Sequence, residues 1–211
     1  MKPKSLSFRL NSLVIAALLR ATAVSAEPST ALDRFHPAPA GDAFLGVPSA
    51  SVGDTLRPSF ALLGAYGDSP LRQRYTAPGQ PVQTRILVGH QIFAYTLGSV
   101  EFGRRFKLEA ALPVALSQGG EATREASLSL SAPGGTGLGD LRLGGRIEVA
   151  EQQGFFPSVA LALSAWAPTS SAGPYSGAPG FRAAPALIVG AELPYLVWSA
   201  SLARRFQKSS A

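Results

Sequence analysis

Residues that could perform chemistry are few in this chain, and their spacing does not suit catalysis. There is no cysteine, which excludes a disulfide framework, a cysteine-ligated metal site and a thiol nucleophile. The two histidines, His36 and His90, are far apart in the sequence, and two isolated histidines do not make a metal site. No nucleophile–base pairing can be read from the sequence. We therefore expect a protein that is not an enzyme and that holds neither a metal nor a cofactor.

A glycine-rich segment at residues 134–140 is similar to a phosphate-cradling loop. Such a loop follows a strand and opens a helix, whose N-terminus holds the phosphate. Here an alternating strand pattern follows the glycines instead of a helix. We therefore do not expect phosphate binding.

Charged residues in the segment that follows occupy every second position or so. The even positions of residues 140–149 include Asp140, Arg142, Arg146 and Glu148, whereas the odd positions are apolar apart from one glycine. Because alternate side chains of a strand point to opposite faces, one face is charged and the other apolar. A soluble sandwich hides such apolar faces between two sheets, whereas a membrane barrel turns them to lipid and keeps charge in its lumen.

Seven segments carry a strand pattern, and their lengths favour a membrane barrel. Most are about ten to twelve residues long, where soluble strands have about five or six and tilted bilayer-spanning strands about nine to eleven. Short connections alternate with long ones rich in Gly, Pro and Ser, as in outer-membrane barrels. The predicted strands are residues 56–66, 86–102, 106–116, 139–150, 156–166, 181–192 and 195–206.

The two faces of these strands predict a charged lumen and an aromatic rim. Aromatic residues near strand ends would form two interfacial girdles, with ordinary core packing as the alternative for any one of them: Tyr66, Phe102, Phe106, Phe155, Phe156, Trp166, Phe181, Tyr195 and Phe206. Eight charged residues are predicted to face the lumen and to pair across strands: Lys107, Glu109, Asp140, Arg142, Arg146, Glu148, Arg182 and Arg205.

The N-terminal residues have the three-part layout of a secretory signal peptide. Residues 1–9 are basic, residues 10–19 mostly apolar and residues 21–26 small, so we expect cleavage after Ala26. The rest divides into an irregular leader at 27–55, a barrel domain at 56–207 and a tail at 208–211. Without residues 1–26, the formal charge falls from +6 to 15 − 13 = +2, and the basic residues are scattered. We therefore expect no nucleic-acid partner.

Three short motifs resemble known outer-membrane proteins. Residues 44–52 and 87–91 resemble the start of the barrel in OmpA-family proteins of the myxobacterial type. Residues 137–144 are similar to a glycine–aspartate strand that this group shares with phenol-degradation-pathway barrel proteins. The resemblance covers roughly residues 42–206 and implies an outer-membrane β-barrel. Such family members often continue into a peptidoglycan-binding α/β domain, which residues up to 211 do not include, so the cell-wall tethering role is not carried over.

The sequence thus predicts an all-β, antiparallel transmembrane β-barrel of about seven or eight strands in the cell outer membrane, with a structural or pore-forming, non-catalytic role. Its expected partners are outer-membrane lipid and the barrel-assembly machinery. Because bacterial single-chain barrels have even strand numbers, either residues 43–52 add an eighth strand or the chain is an incomplete portion of a larger barrel, closed by self-association or a missing C-terminal portion. We expect the latter. The alternatives are a soluble exported β-sandwich binding module and a barrel-shaped lipase or acyltransferase.

Overall fold

The computed structural model describes residues 32, 35–75, 82–121, 123–125, 128–130, 133, 135–171, 175–178 and 180–207. The predicted signal peptide and the predicted tail lie outside these residues. Among the residues described, no helix is long and apolar enough to cross a membrane.

Within the described residues, seven long strands form the main path of one sheet, two short strands pair with members of it, and two more short strands pair with each other. The long strands are β1 (Arg57–Tyr75), β2 (Gln83–Phe102), β3 (Phe106–Gly120), β7 (Leu141–Ala150), β8 (Ser158–Ala167), β9 (Arg182–Leu193) and β10 (Leu196–Ala203). The short strands are β4 (Thr123–Glu125), β5 (Leu128–Leu130), β6 (Gly137–Leu138) and β11 (Phe206–Gln207). β4 and β5 pair with each other, β6 pairs with β3, and β11 pairs with β9.

The main sheet is a simple antiparallel meander in the order β1-β2-β3-β7-β8-β9-β10. The sheet curls into a half-barrel that is not closed, so β1 and β10 are its two edges. This confirms the all-β, antiparallel prediction. A closed barrel is not formed by the residues described.

The β1–β2 hairpin is longer than the sequence predicted. The sequence pattern predicts strands that end at residue 66 and begin again at residue 86, but β1 continues to Tyr75 and β2 begins at Gln83. The ladder passes through bulges between Asp68 and Arg72, where Ser69 has a φ of 46°. Pro70 is tolerated there because β1 is an edge strand with no second neighbour among the described residues.

Alternating side chains give the sheet two different faces. In β1, Phe60 and Leu62 are exposed on the outer face, while Ala61 and Leu63 lie on the inner face. The inner face of β2 and β3 is partly apolar. Its buried cluster contains Phe93, Tyr95, Leu97, Ala111 and Ala115.

Residues 35–53, which we name the inner segment, lie against the inner face of the sheet. Ser99 Oγ donates to the Ala40 carbonyl oxygen (2.7 Å), and Ser199 Oγ donates to that of Pro48 (2.6 Å). The segment forms neither helix nor strand, so residues 43–52 do not supply an eighth strand. Its prolines lack a donor for a ladder, and Gly41 has a φ of 82°, which breaks an extended run.

Candidate functional site

A buried charge cluster on the inner face is centred on Asp42 of the inner segment. Lys107 Nζ lies 2.7 Å from Asp42 Oδ1 and 3.0 Å from Glu101 Oε1. Arg146 contacts the same aspartate through two nitrogens, at 2.8 Å and 3.1 Å. Arg57 closes the other side, 2.9 Å from Glu101 Oε2. Buried charges are tolerable only when they are paired and hydrogen-bonded, and here each buried member has a partner.

A second ion pair joins Arg182 of β9 to Asp140, which directly precedes β7. The Asp140 carboxylate also accepts hydrogen bonds from the backbone nitrogens of Ala178 (2.9 Å) and Ser170 (3.3 Å). These bonds hold parts of the β8–β9 connection against one end of the half-barrel. Asp140 therefore fixes loop position as well as neutralising Arg182.

Side chains of the sheet also hold the backbone of the inner segment. Arg142 donates to the Pro37 carbonyl oxygen (2.6 Å), and Arg146 donates to that of Ser49. Glu148 accepts from the Val52 nitrogen (2.9 Å). Charged groups from β7 thus satisfy backbone polar groups that would otherwise be buried without partners.

Trp166 is the centre of a stack of cationic and aromatic groups. The strand register places Arg142, Trp166 and Arg182 side by side across β7, β8 and β9. The guanidinium carbons of Arg182 and Arg205 lie 5.6 Å and 5.3 Å from the Trp166 ring centroid, within cation–π range. Trp166 is therefore buried on the inner face rather than placed in the predicted girdle.

His36 of the inner segment packs against this stack. Its ring centroid lies 5.6 Å from that of Trp166, and its Nε2 lies 2.6 Å from Arg205 Nη2. Burial, and after it the positive charges of Arg205, Arg142 and Arg182, together lower the pKa of His36 to about 4. The imidazole is thus neutral at pH 7, and its Nε2 accepts a hydrogen bond from Arg205.

A cavity of about 390 Å³ separates the inner segment from β7 to β10. Glu109 lines it and lies opposite Gly144 in the β3–β7 register. A Cβ atom added at Gly144 would lie 2.7 Å from Glu109 Cγ and Cδ, so the glycine leaves room for this carboxylate. A second cavity, of about 360 Å³, lies beside Asp42, Glu101 and Arg57.

The structure places all eight predicted charged residues on, or at the end of, the inner face. Six are buried, Glu109 is half-buried, and Arg205 is exposed but contacts Trp166: the buried six are Lys107, Asp140, Arg142, Arg146, Glu148 and Arg182. Their assignment to a barrel lumen stays a prediction, because the half-barrel is not closed.

Sequence reasoning missed Asp42, the acid that joins Lys107 and Arg146. One signal was present in the charge balance of the predicted set, which has five cations against three carboxylates. A buried face with that excess needs further acids, and the leader was the part of the chain whose contacts were unassigned.

Within the part of the chain that the structure describes, no group of three or more His, Asp or Glu side chains is arranged to hold a metal ion. No family model, no curated protein and no solved structure matches this chain.

Proposed function

We propose that this chain forms part of the wall of an outer-membrane β-barrel, with a structural, non-catalytic role and with its interior filled by the inner segment. The observation that carries the proposal is an inverted distribution of polarity. The Lys107 side chain is among the most buried of the described residues, whereas Phe60 and Leu202 are 74% and 76% exposed on the outer face. Lipid is the environment in which such an arrangement is stable.

The exposed apolar side chains are numerous and belong to several strands. Soluble monomers rarely expose contiguous apolar patches of more than a few hundred Å², and larger ones mark membrane or protein contacts. On the outer face of β1, β3, β7, β8, β9 and β10, the exposed set includes Phe60, Leu62, Tyr66, Leu108, Leu116, Leu143, Ile147, Val149, Leu161, Leu163, Leu187, Leu196, Trp198 and Leu202.

Strand length supports the same proposal. The strands β7, β8 and β9 contain 10, 10 and 12 residues, and β1 to β3 contain 15 to 20. A tilted strand needs about nine to eleven residues to cross a bilayer. Six of the seven long strands are therefore long enough to cross the hydrocarbon layer.

The two sheet edges indicate what else the barrel needs. In an antiparallel meander of seven strands, β1 and β10 run in the same direction. Closure with antiparallel pairing therefore requires an odd number of further strands between them, whereas direct β1–β10 pairing would be parallel. We propose that these strands come from self-association or from a further portion of the protein, inserted by the barrel-assembly machinery.

The inner segment favours a structural role over an open pore. It occupies the space enclosed by the sheet, and its Ala40 and Ala50 side chains are almost fully buried against β2, β3, β8 and β9. Ion pairs from two strands hold it at Asp42. A pore through this side of the barrel would require the segment to leave.

The two tryptophans allow a sharp test, because Trp198 lies on the outer face and Trp166 on the inner face. Trp166→Phe and Trp198→Phe each leave one fluorophore. In vesicles of brominated phosphatidylcholine, we expect strong quenching of Trp198 and little of Trp166. Vesicles without bromine serve as the control.

Two results would contradict the proposal. One is a chain that stays in the soluble fraction after vesicle flotation, and the other is a membrane-bound chain whose Trp198 is not quenched. A chain that refolds in plain buffer with unquenched tryptophans would instead support the soluble β-sandwich binding module.

A further inference from the structure

We propose that the cavity between the inner segment and β7–β10 binds a small organic anion. The inference goes beyond the structural role and does not depend on it, because the cavity lies between residues that are placed by the sheet and the inner segment alone. Among the described residues, no carboxylate forms an ion pair with Arg205 at the exposed side of the cavity.

The cavity exists because the inner positions of two neighbouring strands carry small side chains. Ala162 and Ser164 of β8 lie beside Ala186 and Ala184 of β9 in the strand register. Prolines of the inner segment, including Pro37, line the opposite side of the cavity and do not fill the space above these small side chains. The volume of about 390 Å³ lies within the range of about 300–1,000 Å³ that is usual for small-molecule sites.

Charge decides the class of ligand. Three arginines line the cavity against one carboxylate, that of Glu109: the arginines are Arg142, Arg146 and Arg205. The register places Glu109 opposite Gly144, between Arg142 and Arg146 along β7, and Arg146 is also paired with Asp42. The remaining excess is positive.

Arg205 supplies that excess at the exposed side of the cavity. Among the described residues its contacts are the Trp166 ring and the His36 ring, and neither carries a negative charge. No carboxylate within the part described forms an ion pair with it. An arginine whose neighbours are neutral rings can still donate two hydrogen bonds to a carboxylate or a sulfonate.

Two buried guanidinium groups add unmet hydrogen-bond capacity beside the cavity. The Nε atoms of Arg142 and Arg146 have no partner among the described residues, and these residues are only 7% and 3% exposed. A buried donor without a partner is costly, so an acceptor at this place is favoured. The apolar lining from the alanines and Trp166 then suits an apolar body behind the anionic group.

Trp166 lines the cavity and can report on its occupancy. In the full chain carrying Trp198→Phe, Trp166 is the single tryptophan. We would titrate the folded protein with 2-iodobenzoate, whose iodine quenches tryptophan, and with the neutral analogue 2-iodobenzamide. We expect saturable quenching by the anion, and quenching by the amide that is linear or at least roughly tenfold weaker.

Arg205→Gln should weaken binding of the anion by roughly tenfold and leave the amide unchanged. Arg204→Gln is the matched control, because Arg204 stacks on Phe206, 5.2 Å from its centroid, and does not line the cavity. Arg205→Lys retains the charge but loses the two-point contact, so its binding of the anion should lie between that of the wild type and that of Arg205→Gln.

Linear quenching of equal strength by both iodo compounds would overturn the proposal. Equal effects of Arg204→Gln and Arg205→Gln on binding of the anion would overturn it too, and so would weaker binding in Arg205→Lys than in Arg205→Gln. Quenching by brominated lipid tests the proposed membrane location, and quenching by the iodo compounds tests the anion site. Failure of one proposal therefore does not imply failure of the other.

Discussion

Asp42→Asn tests whether buried ion pairs hold the inner segment in place. The substitution keeps the size of the side chain but removes the charge that faces Lys107 and Arg146. Breaking a buried pair by removing one partner costs about 3–5 kcal/mol. We expect the lower end of this range, because Lys107 keeps Glu101 and Arg146 keeps the Ser49 carbonyl oxygen. A loss of about 3 kcal/mol raises the population with a detached segment roughly a hundredfold.

Hydrogen exchange measured by mass spectrometry on peptides from residues 38–53 reports this population. The Ala38 nitrogen donates to the Leu45 carbonyl oxygen (2.8 Å) and the Val52 nitrogen to Glu148 (2.9 Å), so both amides are protected while the segment is docked. In Asp42→Asn these peptides should exchange roughly a hundredfold faster. Peptides from β8 and β9 should change little, because their ladder does not involve Asp42.

Asp54→Asn is the matched control, since Asp54 is exposed and forms no ion pair among the described residues. Equal exchange in wild type, Asp42→Asn and Asp54→Asn would refute the idea that charge holds the segment. A second check is the double variant with Lys107→Met, which removes one of the two cations that Asp42 faces. Its exchange should be slower than expected from adding the two single effects.

Further predictions concern the stability of the docked inner segment at low pH and the effect of adding a Cβ atom at two glycines. Because His36 has a pKa of about 4 when docked and about 6.5 when free, the docked state is fully stable above pH 6.5 and loses up to about 3 kcal/mol as the pH falls to 4. His36→Gln should remove that part of the pH dependence in the same exchange assay. Gly190→Ala should destabilise the β9–β10 pairing by about 1–3 kcal/mol in urea, because the new Cβ would lie 2.8 Å from the Trp198 carbonyl oxygen. Gly98→Ala should leave the stability almost unchanged, since a Cβ added there would have no atom within 4 Å apart from its chain neighbours. Equal losses of stability in the two variants would contradict the crowding argument.

The two faces of the strands could be predicted from sequence because side-chain alternation is a local property. In β7, Arg142, Arg146 and Glu148 are buried on the inner face while Leu143 and Ile147 are exposed, as the alternation predicts. Even Trp166 follows the rule. It shares its parity with Ser158 and Ala160, so alternation alone would have placed it inside.

Strand ends and the path of the leader could not be predicted in the same way. β1 continues through Pro70 because a bulge and a free edge accommodate it, and both depend on tertiary position. The inner segment has no period, so its place depends on contacts such as that between Asp42 and Lys107, which are 65 residues apart. Local patterns carry no information about a partner at that separation.

The exposed apolar face and the unpaired edges impose different demands in lipid. In an edge strand, alternate residues direct their backbone N–H and C=O groups away from the sheet, which for the 19 residues of β1 is about nine residues. Each unsatisfied group costs several kcal/mol in hydrocarbon. The sum reaches several tens of kcal/mol and exceeds the 5–15 kcal/mol that stabilise an ordinary domain. Water would satisfy these groups but not the apolar outer face. A membrane-embedded half-barrel therefore requires partner strands along both β1 and β10, whichever molecule supplies them.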